Sequence, residues 1–302
     1  MKICILYGGV SSEREVSINT GKSVYNSIHK EHYVSMFDFD GDYDKLYDNV
    51  KGVDLVFIAL HGGDGENGTI QKFLESENVK FTGPSALAAE KAMDKNIAKL
   101  ICQKNNIPTP NWALDFMIED GTMKISDKFI SSGFVVKPLD EGSSFGITIF
   151  KQTPSENEFR KSIKKARKVS ESIMLEEYIE GRELTVSILN NNSLPIVEII
   201  PKGDYYDYES KYTKFQSEYI VPAKIDREIE ELLCAYSLKI HKLIGCVSYS
   251  RIDFRLSKDN KIYFLEINTL PGFTDTSLFP KAAKSAGIGY GELINKIIKL
   301  SI

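Results

Sequence analysis

The sequence predicts a mixed α/β and α+β protein of two or three domains. At 302 residues the chain is too long for one small core. Residues 3–7 and 53–60 predict apolar strands that are buried in a sheet. Each is followed by a glycine-rich turn and a predicted helix, which is typical of a parallel α/β domain. Residues 251–256 and 262–268 flank a polar turn at 257–260 and predict a β-hairpin.

The bulk composition excludes several classes of protein. A hydrophobic fraction of 42% and a charged fraction of 26% are ordinary for a soluble globular protein. The net charge of −4 gives no overall basic field for nucleic acid. No stretch approaches the ~20 apolar residues of a membrane span, and the first apolar run is too short for a signal peptide. The four cysteines form no close pair, so neither a zinc motif nor disulfides are expected, and we expect a cytoplasmic protein.

The glycine-rich loops of the first two strand–helix units, 8–17 and 61–68, should lie at the carboxyl edge of a parallel sheet, where α/β proteins bind ligands. Residues 63–68 match the GxGxxG pattern, which alone would suggest an NAD-dependent dehydrogenase. They occur in the second unit, and the loop carries two acidic side chains that oppose a pyrophosphate, so this hypothesis is weak. A P-loop ending at 21–23 fails because Val16 stands where glycine is required.

The middle of the chain contains features that favour a nucleotide site. Residues 86–105 predict one helix, and strands at 134–138 and 147–150 flank a Gly/Ser loop beside Lys137. Such a loop offers amides and hydroxyls to phosphate, although a plain hairpin with a solvated lysine is an equal alternative. A lysine-rich helix at 155–169 predicts a solvated face. Residues 174–183 predict strand, turn and strand, an edge that can bind adenine but that in isolation is more often a surface linker.

Two further loops follow. Residues 201–222 lack a clear period and hold five tyrosines between 205 and 219, which predicts a lid that folds onto a ligand. Residues 223–244 predict an amphipathic helix. A second loop of ligand-binding type, 271–278, comes before the C-terminal helix.

The hairpin carries the strongest chemical signal. Side chains along each strand alternate between the two faces of the hairpin. One predicted face is apolar and is formed by Ile252, Phe254, Leu256, Tyr263, Leu265 and Ile267. The other face carries Arg251, Asp253, Glu266 and Asn268. Two carboxylates ~4 Å apart repel by about 4 kcal/mol at an effective dielectric near 20. A hard cation such as Mg²⁺ removes that cost, and Asp, Glu and Asn oxygens suit it. The alternative without a ligand is that this face is the solvated outer face of an antiparallel sheet. We favour a metal–nucleotide site.

The chain carries a series of motifs. Their residues are Gly8, Gly9, Ser11, Glu13 to Ser17, His61, Gly62, Gly65, Glu66, Gly68, Met93 to Lys95, Val136 to Pro138, Glu141 to Ser144, Tyr206 to Tyr208, Lys211, Tyr212, Arg251, Asp253, Glu266, Asn268, Thr269, Pro271 and Gly272. Taken in order, these motifs resemble those of the D-alanine–D-alanine ligases, members of the ATP-grasp superfamily. The resemblance covers nearly the whole chain.

The resemblance implies an ATP-grasp architecture: an N-terminal parallel α/β substrate domain (1–93), and central (94–180) and C-terminal (181–302) subdomains that clamp ATP, the last with a lid at 203–222 and the metal site. The implied reaction joins two D-alanines through a D-alanyl phosphate, for peptidoglycan precursor synthesis. D-serine or D-lactate as second substrate is the nearest alternative, and a kinase or a silent ATP-binding regulator is a more distant one. A homodimer without nucleic-acid or membrane partners is also implied.

The resemblance assigns roles to individual residues. ATP binding falls to Lys95, Lys137, Glu141, Gly142, Ser143, Ser144, Glu176, Glu177, Tyr178, Ile179, Glu183 and Phe264. Two Mg²⁺ ions, or Mn²⁺, fall to Asp253, Glu266 and Asn268. The amino-acid substrates fall to Glu13, His61, Lys211, Arg251, Gly272, Ser277 and Leu278. Catalytic roles fall to Glu13, Ser143, Tyr212, Arg251, Gly272 and Ser277.

Some residues bear on specificity or depart from the family pattern. Tyr212 beside Lys211 is the pattern of members that form a dipeptide. The family often has Gly-Trp-Gly where this chain has 248–250, and Met where it has Phe273. Asp275 adds an acid near the pocket for the second carboxylate.

Overall fold

The computed structural model describes residues 1–114, 118–119, 122–123, 133–142, 144–201, 217–274 and 276–302. Within these ranges, no helix is both long enough and apolar enough to cross a membrane.

The N-terminal part is a parallel α/β unit, as predicted. Strands β1 (Lys2–Gly8), β2 (Tyr33–Phe39) and β3 (Leu55–Ile58) form a parallel sheet in the order β2-β1-β3. Helices α1 (Arg14–Ile28) and α2 (Tyr43–Val50) connect the strands. A 3-10 turn at Gly63–Gly65 and helix α3 (Thr69–Ser76) follow β3. Both predicted ligand loops therefore begin at the carboxyl ends of neighbouring strands.

The single helix predicted for 86–105 is wrong. The chain forms two helices, α4 (Ala86–Met93) and α5 (Lys95–Lys104), with Asp94 between them. Asp94 has extended dihedrals, and its carboxylate accepts a hydrogen bond from the amide of Ile97 at 2.9 Å. It therefore ends one helix and caps the next, a role that short polar side chains fill well.

The second sheet contains strands β4 (Trp112–Leu114), β7 (Phe134–Pro138), β8 (Thr148–Phe150) and β9 (Ile173–Glu177). It is antiparallel, in the order β4-β9-β7-β8. Strands β5 (Ile118–Glu119) and β6 (Thr122–Met123) pair separately. Helix α6 (Glu156–Ala166) covers this sheet with the buried Phe159 and Ile163, and its N-terminus is closed by a capping box.

The third sheet carries the predicted hairpin. The elements of this part are β10 (Gly181–Leu189), β11 (Asn192–Ser193), β12 (Val197–Pro201), β13 (Ser217–Ile220), helix α7 (Arg227–Ile244), β14 (Tyr249–Ser257) and β15 (Ile262–Asn268). The main path of the sheet runs β13-β12-β10-β14-β15, with β11 paired to β10. Strand β13 lies inside the stretch predicted as loop, 201–222, whose residues 202–216 are outside the described ranges.

The hairpin register confirms one prediction and corrects another. Asp253 pairs with Glu266, so both carboxylates lie on one face as expected. A β-bulge after Asp253 then shifts the pairing, and Phe254 pairs with Phe264. Consequently Phe264 is fully buried, whereas Leu265 does not share the apolar face predicted for it.

The hydrophobic cores join distant parts of the chain. Helices α8 (Leu278–Ser285) and α9 (Tyr290–Leu300) share the core of the first sheet. A second core lies between α7 and the third sheet, and a third lies beneath α6. The division at 93 and 180 stays a prediction, but the C-terminal helices share the core of the N-terminal sheet, and α9 contacts α1.

Asp94→Ala should lower the free energy of unfolding by about 1 kcal/mol, because the amides at the start of α5 lose their cap. Urea denaturation measures this difference. Asp226→Ala is the matched control, since Asp226 precedes α7 without a side-chain cap bond and should cost less. Equal losses in the two variants would contradict the capping role of Asp94.

Candidate active site

Two adjacent cavities lie between the three sheets. The first, here called the large pocket, has a volume of about 520 Å³, which is ample for a nucleotide. The second, here called the polar pocket, lies between the N-terminal loops, α8 and the end of β15. Glu266 lines both cavities. A group bound in one pocket can therefore meet a group bound in the other at this carboxylate.

Two buried lysines share one carboxylate at the large pocket. Lys137, at the end of β7, holds Glu176 Oε2 at 2.7 Å, and Lys99 of α5 holds Glu176 Oε1 at 2.5 Å. Burial alone would raise the pKa of Glu176, but the two ammonium groups lower it below its ordinary value. Burial lowers the pKa of Lys99 to about 8, against the attraction of Glu176.

A third buried lysine stands between the pockets. Lys95 Nζ donates to the carbonyl oxygen of Glu141 at 2.6 Å and lies 3.7 Å from Glu266 Oε2. Burial lowers its pKa. The pKa of the Glu141 carboxyl, by contrast, is raised, mainly by burial and then by the negative charge of neighbouring Asp140. This arrangement fixes a cation beside the loop that begins at residue 140.

The candidate metal residues lie together on the hairpin. Asp253 accepts two hydrogen bonds from Arg251, at 3.0 and 2.8 Å, and one from Thr185 at 2.5 Å. Asn268 Oδ1 is buried and has no hydrogen-bond partner among the described residues. Within the described ranges, no group of three Asp, Glu, His or Cys side chains converges. The candidate donors on the hairpin are the carboxylates of Asp253 and Glu266 and the amide oxygen of Asn268. These hard oxygen donors and the unpartnered amide oxygen fit Mg²⁺.

The loops of the N-terminal domain form one wall of the polar pocket. His61 is buried, with Nε2 3.0 Å from Thr20 Oγ1 and Nδ1 3.4 Å from Glu66 Oε1. Glu13, at the start of α1, is also buried and lines the pocket. Gly62 is required between them, because its φ is +66° and a Cβ there would meet Glu13 Oε2 at 2.7 Å. This wall presents fixed acceptors to a bound ligand.

The opposite wall is the N-terminus of α8. Ser277 precedes this helix, and its Oγ accepts a hydrogen bond from the Thr274 amide at 3.0 Å. Ser277 and Leu278 line the pocket with Gly272. A Cβ at Gly272 would lie 2.8 Å from Ser277 Oγ, so the backbone can approach this closely only with glycine. A helix N-terminus of this kind attracts a carboxylate.

Arg255 organises the turn between β9 and β10. Its guanidinium donates to the carbonyl oxygens of Ile179 at 3.1 Å and Gly181 at 2.8 Å, and pairs with Glu183 at 3.3 Å. The turn therefore has a fixed shape at the edge of the large pocket. Arg255 was not among the predicted site residues, although its alternation with Arg251 and Asp253 along one strand could have indicated it.

Most of the predicted site residues that the structure describes line one of the two pockets. In the large pocket are Lys137, Ser144, Glu176, Glu177, Tyr178, Ile179, Glu183 and Asp253. In the polar pocket are Glu13, His61, Lys95, Glu141, Gly142, Arg251, Asn268, Gly272, Ser277 and Leu278.

Several predicted residues do not follow this pattern. Phe264 lines neither pocket, because the bulge buries its side chain against Phe254 in the core; its predicted contact with ATP is corrected. Leu265 lines the large pocket instead. Ser143, Lys211 and Tyr212 lie outside the described residues.

Sequence reasoning also missed Glu66 as a pocket residue and Lys99 behind the large pocket. Lys99 is one helical turn from Lys95, and that spacing was a usable signal.

The departures behind Arg251 have a structural explanation. Tyr249 is fully buried and packs edge-on against Phe273 at 5.5 Å and Phe279 at 6.1 Å between ring centroids. Phe57 of the first sheet contacts Phe273 in the same way. The unusual Tyr249 and Phe273 thus belong to one aromatic cluster that joins the hairpin to the N-terminal sheet. Asp275 lies outside the described residues.

Three features together define the ATP-grasp class of fold. They are the three sheets, the buried lysines whose ammonium groups can bind phosphate, and the two adjacent pockets that share Glu266. Residues 102–299 match the family described as D-ala D-ala ligase C-terminus, and residues 39–84 match D-ala D-ala ligase N-terminus. The chain belongs to the D-alanine–D-alanine ligase family.

Named relatives support this assignment over the full length. A D-alanine–D-alanine ligase of Aquifex aeolicus is 41% identical, covering 99% of this chain and 100% of the relative. The ligase of Carboxydothermus hydrogenoformans is 40% identical, covering 100% and 98%. The crystal structure of the Bacillus anthracis ligase complexed with ATP has a TM-score of 0.86 at 32% identity, covering 100% and 97%. VanG D-Ala:D-Ser ligase of Enterococcus faecalis has a TM-score of 0.81 at 27% identity, covering 100% and 99%.

Glu176→Gln should lower the free energy of unfolding by about 3 kcal/mol, because two buried ammonium groups lose their shared carboxylate. Part of this difference should disappear in acid, since a carboxyl whose pKa is lowered by folding stabilises the protein only while it is ionised. Urea denaturation at pH 7 and at lower pH measures both effects.

Glu177→Gln is the matched control, because this neighbouring side chain bonds Asn111 near the surface. If Glu176→Gln lowers the free energy of unfolding no more than Glu177→Gln does, the assignment of a buried ion pair would be contradicted.

Proposed function

We propose that the protein uses ATP to join two D-alanine molecules through a D-alanyl phosphate, with ADP, phosphate and D-alanyl-D-alanine as products. The observation that carries this proposal is the position of Glu266 on both pockets. A triphosphate in the large pocket and a carboxylate in the polar pocket would meet there. Phosphoryl transfer between two such groups depends chiefly on their positioning and on charge stabilisation.

The large pocket would hold ATP. The apolar surface of Ile149, Ile179 and Leu265 suits a purine ring, and Glu183 can accept hydrogen bonds from ribose hydroxyls. Lys95 and Lys137 provide countercharge for the phosphates. The loop that contains Gly142, Ser143 and Ser144 would fold over them; Ser144 has a φ of +60°, a conformation that turns this loop sharply.

Asp253, Glu266 and Asn268 would hold two Mg²⁺ ions, with Mn²⁺ as a substitute. The donor chemistry and the unpartnered Asn268 oxygen support this assignment. When bound, the metal supplies neutralising charge to the phosphate oxygens. Arg251 holds Asp253 from the side, so that its carboxylate keeps one orientation.

The polar pocket would hold the two amino acids. Glu13 offers a carboxylate to the ammonium group of the first D-alanine. Ser277 and the amide of Leu278 at the start of α8 suit the carboxylate of the second. Arg251 and the Gly272 amide would stabilise the oxyanion that forms when the second amine attacks the acyl phosphate. Glu13, Ser143 and Tyr212 would orient the lid and assist removal of the amine proton.

The second substrate distinguishes two versions of this function. Tyr212 beside Lys211 favours an amine nucleophile and hence D-alanine. D-serine stays an alternative second substrate, because the chain is also similar in structure to VanG, which is named a D-Ala:D-Ser ligase. D-lactate, a hydroxyl nucleophile, is the less favoured alternative. The proposal also includes cytoplasmic location, a homodimer and a role in peptidoglycan precursor synthesis.

The direct test is phosphate release from MgATP by the purified protein with D-alanine alone, and with D-alanine plus D-serine or D-lactate. Mass spectrometry identifies each product. We expect rapid phosphate release and D-alanyl-D-alanine with D-alanine alone. Absence of any dipeptide would overturn the proposal, and a preference for the mixed product would select the alternative.

Glu266→Gln should reduce turnover by at least about 10³-fold, because the carboxylate shared by the two pockets loses its charge. Far-UV circular dichroism checks that the fold is retained. Glu171→Gln on the exposed surface is the control and should keep wild-type turnover. Near-normal turnover of Glu266→Gln would show that this carboxylate is not part of the reaction site.

A further inference from the structure

Lys99 stands behind the large pocket and lines neither cavity, so it does not contact a ligand in either one. Its side chain is fully buried. Its ammonium group lies 2.5 Å from Glu176 Oε1, 2.7 Å from Thr109 Oγ1 and 5.6 Å from the centre of the Trp112 ring. A buried ammonium group is costly unless it is paired, so its retention here requires a compensating arrangement.

The arrangement bears on the charge available to phosphate. Glu176 would neutralise Lys137 completely if the two formed an isolated pair. Because Lys99 holds the other oxygen of the same carboxylate, the group of three carries a net charge of +1. Lys99 is enclosed, whereas Lys137 and Glu176 both line the large pocket, so the net positive charge of the group acts on the nucleotide through Lys137. At low local dielectric, one such charge has a large effect on an anion.

The same ammonium group connects three parts of the site. Thr109 Oγ1 donates to the Phe264 carbonyl at 2.9 Å, two residues before Glu266 on β15. Trp112 of β4 is fixed by a hydrogen bond from Nε1 to Asn96 Oδ1 at 2.9 Å. Lys99 itself belongs to α5, which also carries Lys95. These contacts with strand β4 and the hairpin fix Lys99 on helix α5, and through Lys99 they help to fix the Glu176 carboxylate.

We propose that Lys99 is a positioning residue for ATP: it shares the Glu176 carboxylate with Lys137 and so leaves Lys137 able to attract the phosphates. This inference rests on the proposed function only in taking ATP as the ligand of the large pocket. It assigns a role to a residue that does not touch the substrate.

The charge on Lys99 can be followed with pH. The groups that face it are Glu176 on β9, Lys137 on β7, Trp112 on β4, and Cys102 on its own helix, whose thiol pKa is raised to about 12 by burial. The pKa of Lys99, about 8, lies below that of the cysteine. Loss of the Lys99 proton should therefore remove the surplus charge as the pH rises through about 8.

The first experiment measures MgATP affinity by calorimetry, without D-alanine, from pH 7 to about pH 9.5. The wild-type dissociation constant should rise about tenfold across this range, as one facing charge is lost. Lys99→Met should bind about tenfold more weakly already at pH 7 and show no further change. Lys99→Arg keeps a permanent charge and should remain tight throughout. Lys104→Met, an exposed lysine at the end of the same helix, is the matched control.

A second experiment can be read on the wild-type protein itself, with Lys99→Arg as a comparison. Trp112 is the chain's single tryptophan, and its ring faces the Lys99 ammonium group. Its fluorescence, excited where tyrosine does not absorb, should change with a midpoint near pH 8 in the wild type and not in Lys99→Arg.

The outcomes separate the two proposals. Wild-type protein that fails to bind MgATP would overturn the proposed function. Wild-type protein that binds MgATP, with Lys99→Met binding equally well or with a flat Trp112 titration, would overturn the role of Lys99 alone.

Discussion

The site depends on the pairing of Asp253 with Glu266 across the β-hairpin. Neighbouring carboxylates repel each other, and the repulsion grows as water is excluded. Two fixed cationic side chains reduce this repulsion: Arg251 binds Asp253, and Lys95 lies beside Glu266. Two acidic groups are thereby held side by side at the junction of the two pockets, where we propose that a metal ion and phosphate oxygens bind. The remaining walls of the site are arranged around this pair, with the large pocket on one side and the polar pocket on the other.

Alternation along the hairpin was enough to predict which side chains face the site, but only as far as the bulge. Asp253 and Glu266 lie before the shift, so parity places them correctly. Phe264 and Leu265 lie beyond it, and one extra residue exchanges their faces. Nothing in the local sequence marks that residue, because both side chains are apolar and fit either face. The bulge gives the large pocket the smaller aliphatic side chain and gives the core the aromatic ring.

Features that depend on distant packing were not accessible from the sequence pattern. The split at Asp94 was missed because helical propensity continues across it, although the carboxylate was a recognisable cap. The sharing of Glu176 by Lys99 and Lys137 joins a helix to a strand; the spacing from Lys95 could have marked Lys99, but no sequence pattern indicates its partner. The same holds for helices α8 and α9, which complete the core of the N-terminal sheet. The strands, ligand loops and most pocket residues followed from local patterns and family resemblance, whereas their connections are a property of the fold.

The proposed reaction requires that ATP and an amino-acid carboxylate meet at Glu266, so that a phosphoryl group is transferred to that carboxylate. The most direct test supplies D-alanine with ¹⁸O in its carboxylate and measures the isotope in the inorganic phosphate released. We expect one labelled oxygen in each phosphate, because the amine attacks the carbonyl carbon and cleavage of the C–O bond leaves the bridging oxygen on phosphorus. Unlabelled phosphate formed together with dipeptide would contradict it.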